Sequence, residues 1–221
     1  MTLTKREKQM QRMWHYFVDA TSDIIEEEGI EHVTIRKIAD KASYNSATIY
    51  NYFQELSHLI FFASLGYLKK YIEALPAYMD KGKNSLEKYI LSWECFCHHS
   101  FLEPQVYNAI FLADLGDRPE EILENYYTIY QSIVFGDMTE DIKTLLHHHN
   151  LSKRSRYELN KSITDGYLNK DDANAINERT VLIWQGMLTT ILNNRSRLTA
   201  DEAAHRTMQH IREIIENYRL I

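Results

Sequence analysis

Residues 34–53 read TIRKIADKASYNSATIYNYF, and this stretch determines how the rest of the chain is interpreted. In its first half, apolar side chains recur at the spacing of one helix face, and Thr34 stands where an N-cap is expected. Polar residues at positions 43–46 interrupt the pattern, because side chains that bond their own backbone favour turns. A second apolar stripe runs over residues 47–53. The stretch predicts two short helices joined by a tight turn, which is the size of a helix-turn-helix.

Two helices this short need a further helix to pack on, because isolated helices of about two turns are marginal in water. Residues 10–28 provide it. Met13, Trp14 and Phe17 open an apolar stripe with a period near 3.6 residues, and Gly29 follows where a residue free to adopt positive φ would end the helix. The N-terminal region therefore predicts a three-helix domain built around the turn motif.

Residues 17–59 resemble the N-terminal domain of the TetR family of bacterial transcriptional regulators. The matching pieces occur in the order of the family pattern, and the remainder of the chain resembles the family in architecture and at Trp184-Gln185-Gly186. The matching pieces are residues 17–28, Gly29, Thr34-Ile35-Arg36, Ile38-Ala39, Ala42, Thr48-Ile49-Tyr50 and Tyr52-Phe53.

The resemblance implies an all-α fold with two domains. Residues 1–56 would form the three-helix helix-turn-helix domain, and residues 57–221 a larger helical domain for ligand binding and dimerisation. The partners implied are a double-stranded DNA operator, a small-molecule effector and a second copy of the chain. Apolar stripes in residues 172–193 and 199–219 are expected to pair with their twofold mates.

The resemblance also makes Tyr50 a phosphate contact, with Thr34 and Lys37 as further ones. Polar residues of the turn and the second helix are expected near base edges or the groove wall. The candidate DNA-binding residues are Thr34, Lys37, Tyr44, Asn45, Ser46, Thr48, Tyr50 and Asn51.

The chain departs from the family pattern at several positions. Ser43 replaces the turn glycine, Ser46 replaces a basic residue, and no lysine opens the fourth helix. Each lost phosphate contact would lower the salt dependence of DNA binding by about one unit. The formal net charge is −6, so only a local basic surface could bind DNA. The basic residues of segment 5–12 are either a solvated terminus or an arm that contacts phosphates.

Composition agrees with a soluble helical protein. The 221 residues are 44% apolar, with three prolines and seven glycines, and no apolar run reaches the roughly 20 residues of a membrane helix. Cys95 and Cys97 are too close in sequence to staple a fold, and the N-terminus is charged, which together predict a cytoplasmic protein. The motifs G-x-S-x-G, G-x-G-x-x-G and H-E-x-x-H and the P-loop do not occur, so no enzyme activity is predicted.

The C-terminal part is rich in aromatic residues, which either form ordinary core or line an apolar pocket with a few polar groups. Residues 84–135 contain only Lys88 and Arg118 as cations, so the expected effector is lipophilic and neutral or weakly cationic. The alternative is an enzyme or adaptor that uses this pocket without reading DNA. The candidate ligand-binding residues are Trp93, Phe96, Phe111, Tyr126, Tyr130 and Trp184.

No metal or cofactor is predicted. Cys95 lies at helical spacing from His98 and His99, but no second pair of potential ligands with matching spacing follows nearby. The consecutive histidines 147–149 would fan out around a helix and could not chelate together. The sequence thus predicts a ligand-responsive repressor that works as a homodimer.

Overall fold

A computed structural model describes residues 4–116 and 150–220, and these residues form helices, turns and loops without strands. They divide into two compact units, one of residues 4–66 with 112–116 and one of residues 67–111 with 150–220. The predicted all-α class is confirmed. The domain boundary predicted at residue 56 lies within the first unit and stays a prediction.

The first unit is built on one long helix. Helix α1 spans Lys5–Glu28, and a single 3₁₀ turn at Ile30–His32 leads to α2 at Ile35–Ala42. Helix α3 is Ser46–Ile49, and α4 is Leu56–Ser64. Helix α1 packs against both α2 and α4.

The core of the first unit contains a cluster of aromatic rings. Trp14 stacks on Phe53 at a centroid distance of 5.9 Å and meets Phe62 edge to face at 5.2 Å. Phe17, Ile38 and Ile49 are fully buried, so the apolar stripes of the first three helices face each other as their periodicity predicted. Gly29 has a φ of 97°, which permits the chain to leave α1 without strain.

The second unit follows a 3₁₀ turn at Leu65–Tyr67 and contains six described helices. Helix α6 is its centre, because α5, α7, α8, α9 and α10 all pack against it. The helices are α5 at Leu68–Met79, α6 at Ser85–Leu102, α7 at Pro104–Phe111, α8 at Leu151–Thr164, α9 at Asp172–Leu192 and α10 at Ala200–Tyr218.

Side-chain caps mark the starts of two helices. The Asn84 side chain accepts a hydrogen bond from the backbone N–H of Glu87 at 2.9 Å and starts α6. Thr199 and Glu202 form a reciprocal capping box at the start of α10. Pro76, in contrast, lies inside α5, which continues to Met79.

The apolar stripe of α10 is buried within the chain itself. Ala203, Thr207, Ile211 and Ile215 are fully buried, and α10 packs on α6 and α9. This stripe was expected to pair with a second copy, but it completes the core of its own unit. An apolar side chain that does remain exposed on α9 is Leu182, at 58%. Within the described ranges, no helix combines the length and the apolar character needed to cross a membrane.

Candidate functional site

The turn between α2 and α3 is closed by a Schellman motif. The N–H of Tyr44 donates to the carbonyl of Ala39 at 2.9 Å, and the N–H of Ser43 donates to that of Asp40 at 3.2 Å. Ser43 adopts the left-handed conformation, with φ 61° and ψ 38°. Ser43 therefore occupies the position that glycine usually fills, and its Cβ makes this conformation costly.

Helix α3 is fixed by two of the predicted contact residues. The Oδ1 atom of Asn45 accepts hydrogen bonds from the backbone N–H and the hydroxyl of Thr48, both at 2.9 Å. Thr34 caps α2 in the same way, because its hydroxyl accepts from the N–H of Lys37 at 3.2 Å. Three predicted DNA contacts thus also determine where the two helices start.

Six of the eight predicted residues lie in segment 44–51, which contains α3. Ile49 is fully buried, whereas Tyr50 beside it is 57% exposed. The ring of Tyr44 packs edge to face on Phe17 at 5.6 Å while remaining partly accessible. The exposed predicted residues are Thr34, Tyr44, Asn45, Tyr50 and Asn51, and the partly exposed ones are Lys37, Ser46 and Thr48.

The cations of α2 are mostly paired with acids at the end of α1. Lys37 Nζ lies 2.5 Å from Glu28 Oε2, and this hydrogen bond lowers the pKa of Glu28. Lys41 Nζ lies 2.7 Å from Glu27 Oε2, and that hydrogen bond raises the pKa of Lys41. The Arg36 side chain is 90% exposed, and its Nε lies 3.9 Å from Asp40 Oδ2. Arg36 is therefore the more available cation, although the sequence pattern had favoured Lys37.

In the second unit, five aromatic rings surround Phe96. The centroids of Tyr71, Trp93, Tyr107, Phe111 and Trp184 lie 5.2–5.6 Å from that of Phe96. The structure thus brings together four predicted ligand-binding residues: Trp93, Phe96, Phe111 and Trp184. Tyr126 and Tyr130 lie outside the described residues.

A buried arginine that sequence reasoning missed lies beside these rings. Arg154 is 6% exposed, and its guanidinium lies 5.2 Å from the centroid of Phe96 and 5.1 Å from that of Tyr71. Its Nη2 donates to the hydroxyl of Tyr71, and its Nε lies 3.5 Å from Glu158 Oε1. Glu158 Oε2 in turn accepts from the hydroxyl of Ser92 at 2.6 Å.

Arg154 was not predicted because the apolar residues of α8 do not show which face of the helix is buried. Of its larger apolar residues, Leu159 is fully buried, whereas Tyr157 is 64% exposed. The serines provide the signal that was available, since Ser155 lies one turn and Ser162 three turns after Leu151 and both are buried with it. Arg154 occupies that same face.

Two spaces meet at Glu158. A void of about 10 Å³ lies inside, lined by Ser92, Trp93, Phe96, Leu151, Arg154, Ser155 and Glu158. A groove of about 240 Å³ lies outside, lined by Met79, Lys83, Asn84, Ser85, Lys88, Tyr89, Glu158, Lys161 and Asp165. Tyr89 of the groove and Ser155 of the void are hydrogen-bonded through their hydroxyls at 3.0 Å, and burial raises the pKa of Tyr89 to about 12.

The surroundings of Cys95 and His98, which lie at metal-ligand spacing in the sequence, do not favour a metal site. Cys95 is fully buried, and burial raises the pKa of its thiol to about 12, which disfavours the thiolate that binds metals. His98 Nδ1 lies 2.9 Å from Asp201 Oδ1. In the described part of the chain, no three potential ligands are grouped around a common point. Residues 147–149 lie outside it.

Comparison with known proteins confirms the resemblance found in the sequence. Residues 17–58 match the family model of bacterial regulatory proteins of the tetR family. No curated protein matches significantly. Among solved structures, RolR in complex with resorcinol is 16% identical, covers 94% of this chain and 95% of its own, and has a TM-score of 0.59.

Two further structures show the same fold at low identity. Thermus thermophilus FadR, a TetR-family repressor in complex with lauroyl-CoA, is 12% identical, covers 94% of this chain and 95% of its own, and has a TM-score of 0.59. A TetR-family regulator from Syntrophomonas wolfei is 13% identical, covers 95% of this chain and 96% of its own, and has a TM-score of 0.58. The helical C-terminal part therefore shares the architecture of these regulators.

Proposed function

We propose that this chain, which carries the N-terminal domain of the TetR family, is a transcriptional repressor that a small lipophilic molecule releases from its operator. It would act in the cytoplasm as a homodimer. The observation that carries the proposal is the surface of residues 44–51, the segment that contains α3, where Asn45, Tyr50 and Asn51 are exposed within the stretch that matches the family model.

The chemistry of this face suits a DNA groove. Asparagine can pair with adenine through two hydrogen bonds, and Asn51 is free of the capping role that engages Oδ1 of Asn45. The hydroxyl of Tyr50 can donate to a phosphate oxygen. Arg36 supplies an exposed positive charge one helix away. The proposal therefore assigns base reading to segment 44–51 and phosphate contacts to that segment and to α2.

A dimer would set the spacing of two such surfaces. Paired helix-turn-helix units bind half-sites about one DNA turn, roughly 34 Å, apart. With the stripe of α10 buried in its own unit, the exposed face of α9 around Leu182 is the surface we propose for dimerisation. The neighbouring Gly186 has no atom within 4 Å of its missing Cβ, so a partner helix could approach closely there.

The effector would bind among the rings of the second unit. A ligand shifts the protein between conformations only by its differential affinity for them. The rings around Phe96 are closely packed, so a ligand entering among them would separate packed helices. Such a rearrangement is the physical basis that we propose for release of the operator.

The experiment is DNA binding by the intact chain, measured by fluorescence anisotropy on a site selected from random sequence. Tyr50→Phe removes one hydrogen bond to a charged group and should weaken binding roughly tenfold on every sequence. Asn51→Ala should relax the preference at one base pair. Tyr16→Phe, which changes an exposed tyrosine of α1, is the control. Parental binding by both the Tyr50 and the Asn51 variant, or no site selected, would refute DNA readout by segment 44–51.

A further inference from the structure

Arg154 carries its positive charge inside the packed core of the second unit, where charged side chains are rare. Its only described anionic neighbour is Glu158, and the Nε–Oε1 separation of 3.5 Å is longer than a good charge-assisted hydrogen bond. Burying two charges costs more than a loose ion pair returns. A packed apolar core would be more stable, so the pair has a poor rationale in stability alone.

The guanidinium also has donor capacity left over. Arginine presents five N–H groups. Nη2 donates to the hydroxyl of Tyr71, but Nη1 is buried without a partner among the described residues. Such a group is expensive to leave unpaired. Arg154 also lines the inner void, so this space adjoins an incompletely paired cation.

The outer groove carries an excess of one positive charge. It presents Lys83, Lys88 and Lys161 with the carboxylates of Glu158 and Asp165, and Lys161 is paired with Asp165 at 3.0 Å, on a chain whose net charge is −6. A locally positive entrance on an acidic protein favours anions over cations. Because Glu158 lines both spaces, the groove leads to the carboxylate that shields Arg154.

We propose that the groove and the void together bind an organic monoanion, with an apolar body and one carboxylate that pairs with Arg154. This inference rests on the proposed function, because it names the chemical class of the effector. A carboxylate accepts two parallel N–H bonds from a guanidinium, which would satisfy Nη1. A ligand carboxylate that pairs with the guanidinium of Arg154 would compete with Glu158 for it.

The proposal revises the expectation of a neutral or weakly cationic effector. That expectation was based on the cations within residues 84–135, and Arg154 lies outside this range. The void itself holds only about one water molecule, so the apolar body must extend into the groove or separate the rings beside Phe96. Binding would thereby change the packing of Trp93, whose fluorescence should respond.

The test uses the intact chain without DNA and compares carboxylates with their isosteres. The probes are octanoate and para-butylbenzoate, each with its primary amide and its amine, which separates alkyl from aryl acids. Binding is measured by calorimetry and by tryptophan fluorescence. At least one carboxylate should bind roughly tenfold or more tightly than its amide. Equal binding of acid and amide, a preference for the amine, or no binding by either acid would overturn the inference.

Variants identify the cation that is responsible. Glu158→Gln removes the competing carboxylate and should tighten binding of the acid several-fold, whereas an unchanged or weaker affinity would contradict the proposed competition. Arg154→Met combined with Glu158→Gln removes both charges, so no unpaired buried charge remains, and the preference for acid over amide should vanish. Arg156→Gln on the same helix, where Arg156 bonds only Asn160 and Asn174 among described partners, should retain it.

A separate measurement distinguishes this inference from the proposed function. Binding of the acid is scored without DNA, and operator affinity is then measured with and without the acid. If the acid binds but operator affinity does not change, the proposed binding site would be supported and its role as the effector site would be refuted. If operator binding responds to a neutral molecule while both acids have no effect, the proposed regulatory function would be supported and the proposal of a monoanionic effector would be refuted.

Discussion

Replacing Ser43 by glycine should stabilise the turn that presents α3. Ser43 sits in the left-handed region at φ 61° and ψ 38°, where its Cβ crowds the following carbonyl. The Schellman bonds of Ser43 and Tyr44 come from backbone groups, so the substitution leaves both intact. No side-chain hydrogen bond of Ser43 is needed to hold this conformation, and glycine adopts it without a steric penalty.

The magnitude follows from two opposing terms. The left-handed conformation costs a residue with a Cβ roughly 1–2 kcal/mol. Glycine loses more backbone freedom on folding, which costs roughly 0.5–1 kcal/mol relative to alanine. The net gain should be about 0.5–1 kcal/mol in the free energy of unfolding. For a protein of this size, that corresponds to a rise in Tm of about 1–4 °C.

The assay is thermal unfolding of the intact chain followed by circular dichroism, together with a urea titration at fixed temperature. Ser43→Ala keeps the Cβ and should give no gain. Asn194→Gly is a second control, because Asn194 also has a positive φ, of 53°, but asparagine tolerates this region better and should gain less. If Ser43→Ala stabilises as much as Ser43→Gly, the backbone argument is wrong.

Three further predictions concern charge, association and pH. Lys37→Ala should lower the salt slope of operator binding by about one unit, and Glu28→Gln should strengthen binding at low salt by releasing Lys37, both measured by anisotropy. Leu182→Glu should convert dimer to monomer in sedimentation while Tm holds, whereas Ile211→Glu should unfold the chain because Ile211 is fully buried. Burial lowers the pKa of His99, so the unfolded state binds more protons there. The stability contributed by neutral His99 should be complete above about pH 6.5 and decline as pH falls below it, and His99→Gln should flatten this dependence of Tm on pH.

The N-terminal turn motif could be predicted because its determinants are local. Thr34 and Asn45 accept bonds from backbone N–H groups three residues later, and such caps follow from residue type and spacing alone. The apolar stripes of α1 and α2 have a clear period, so their buried faces were correctly identified. The pairing of Lys37 with Glu28 was missed because it depends on how the end of α1 approaches α2.

The second unit could be predicted less well, because long-range packing decides which residues face inward. The apolar run after residue 59 is divided by the turn at Leu65–Tyr67, and its apolar pattern does not mark that break. The apolar stripe of α10 was correctly identified, but it was expected to pack against a second copy and instead packs within its own unit. An apolar helix face indicates that something covers it, and only the fold shows that α6 and α9 already do.

Arg154 is the clearest case in which the three-dimensional arrangement adds a functional hypothesis. Arginine on a helix is normally placed at the surface, since a buried charge needs partners. Its partners are Tyr71, which is 83 residues away in sequence, and Glu158, one turn away on the same helix. The second pairing looks like an ordinary surface ion pair in sequence. In the structure it lies beside a void and behind a groove with three lysines, and this combination favours a carboxylate ligand over the neutral one that composition suggested.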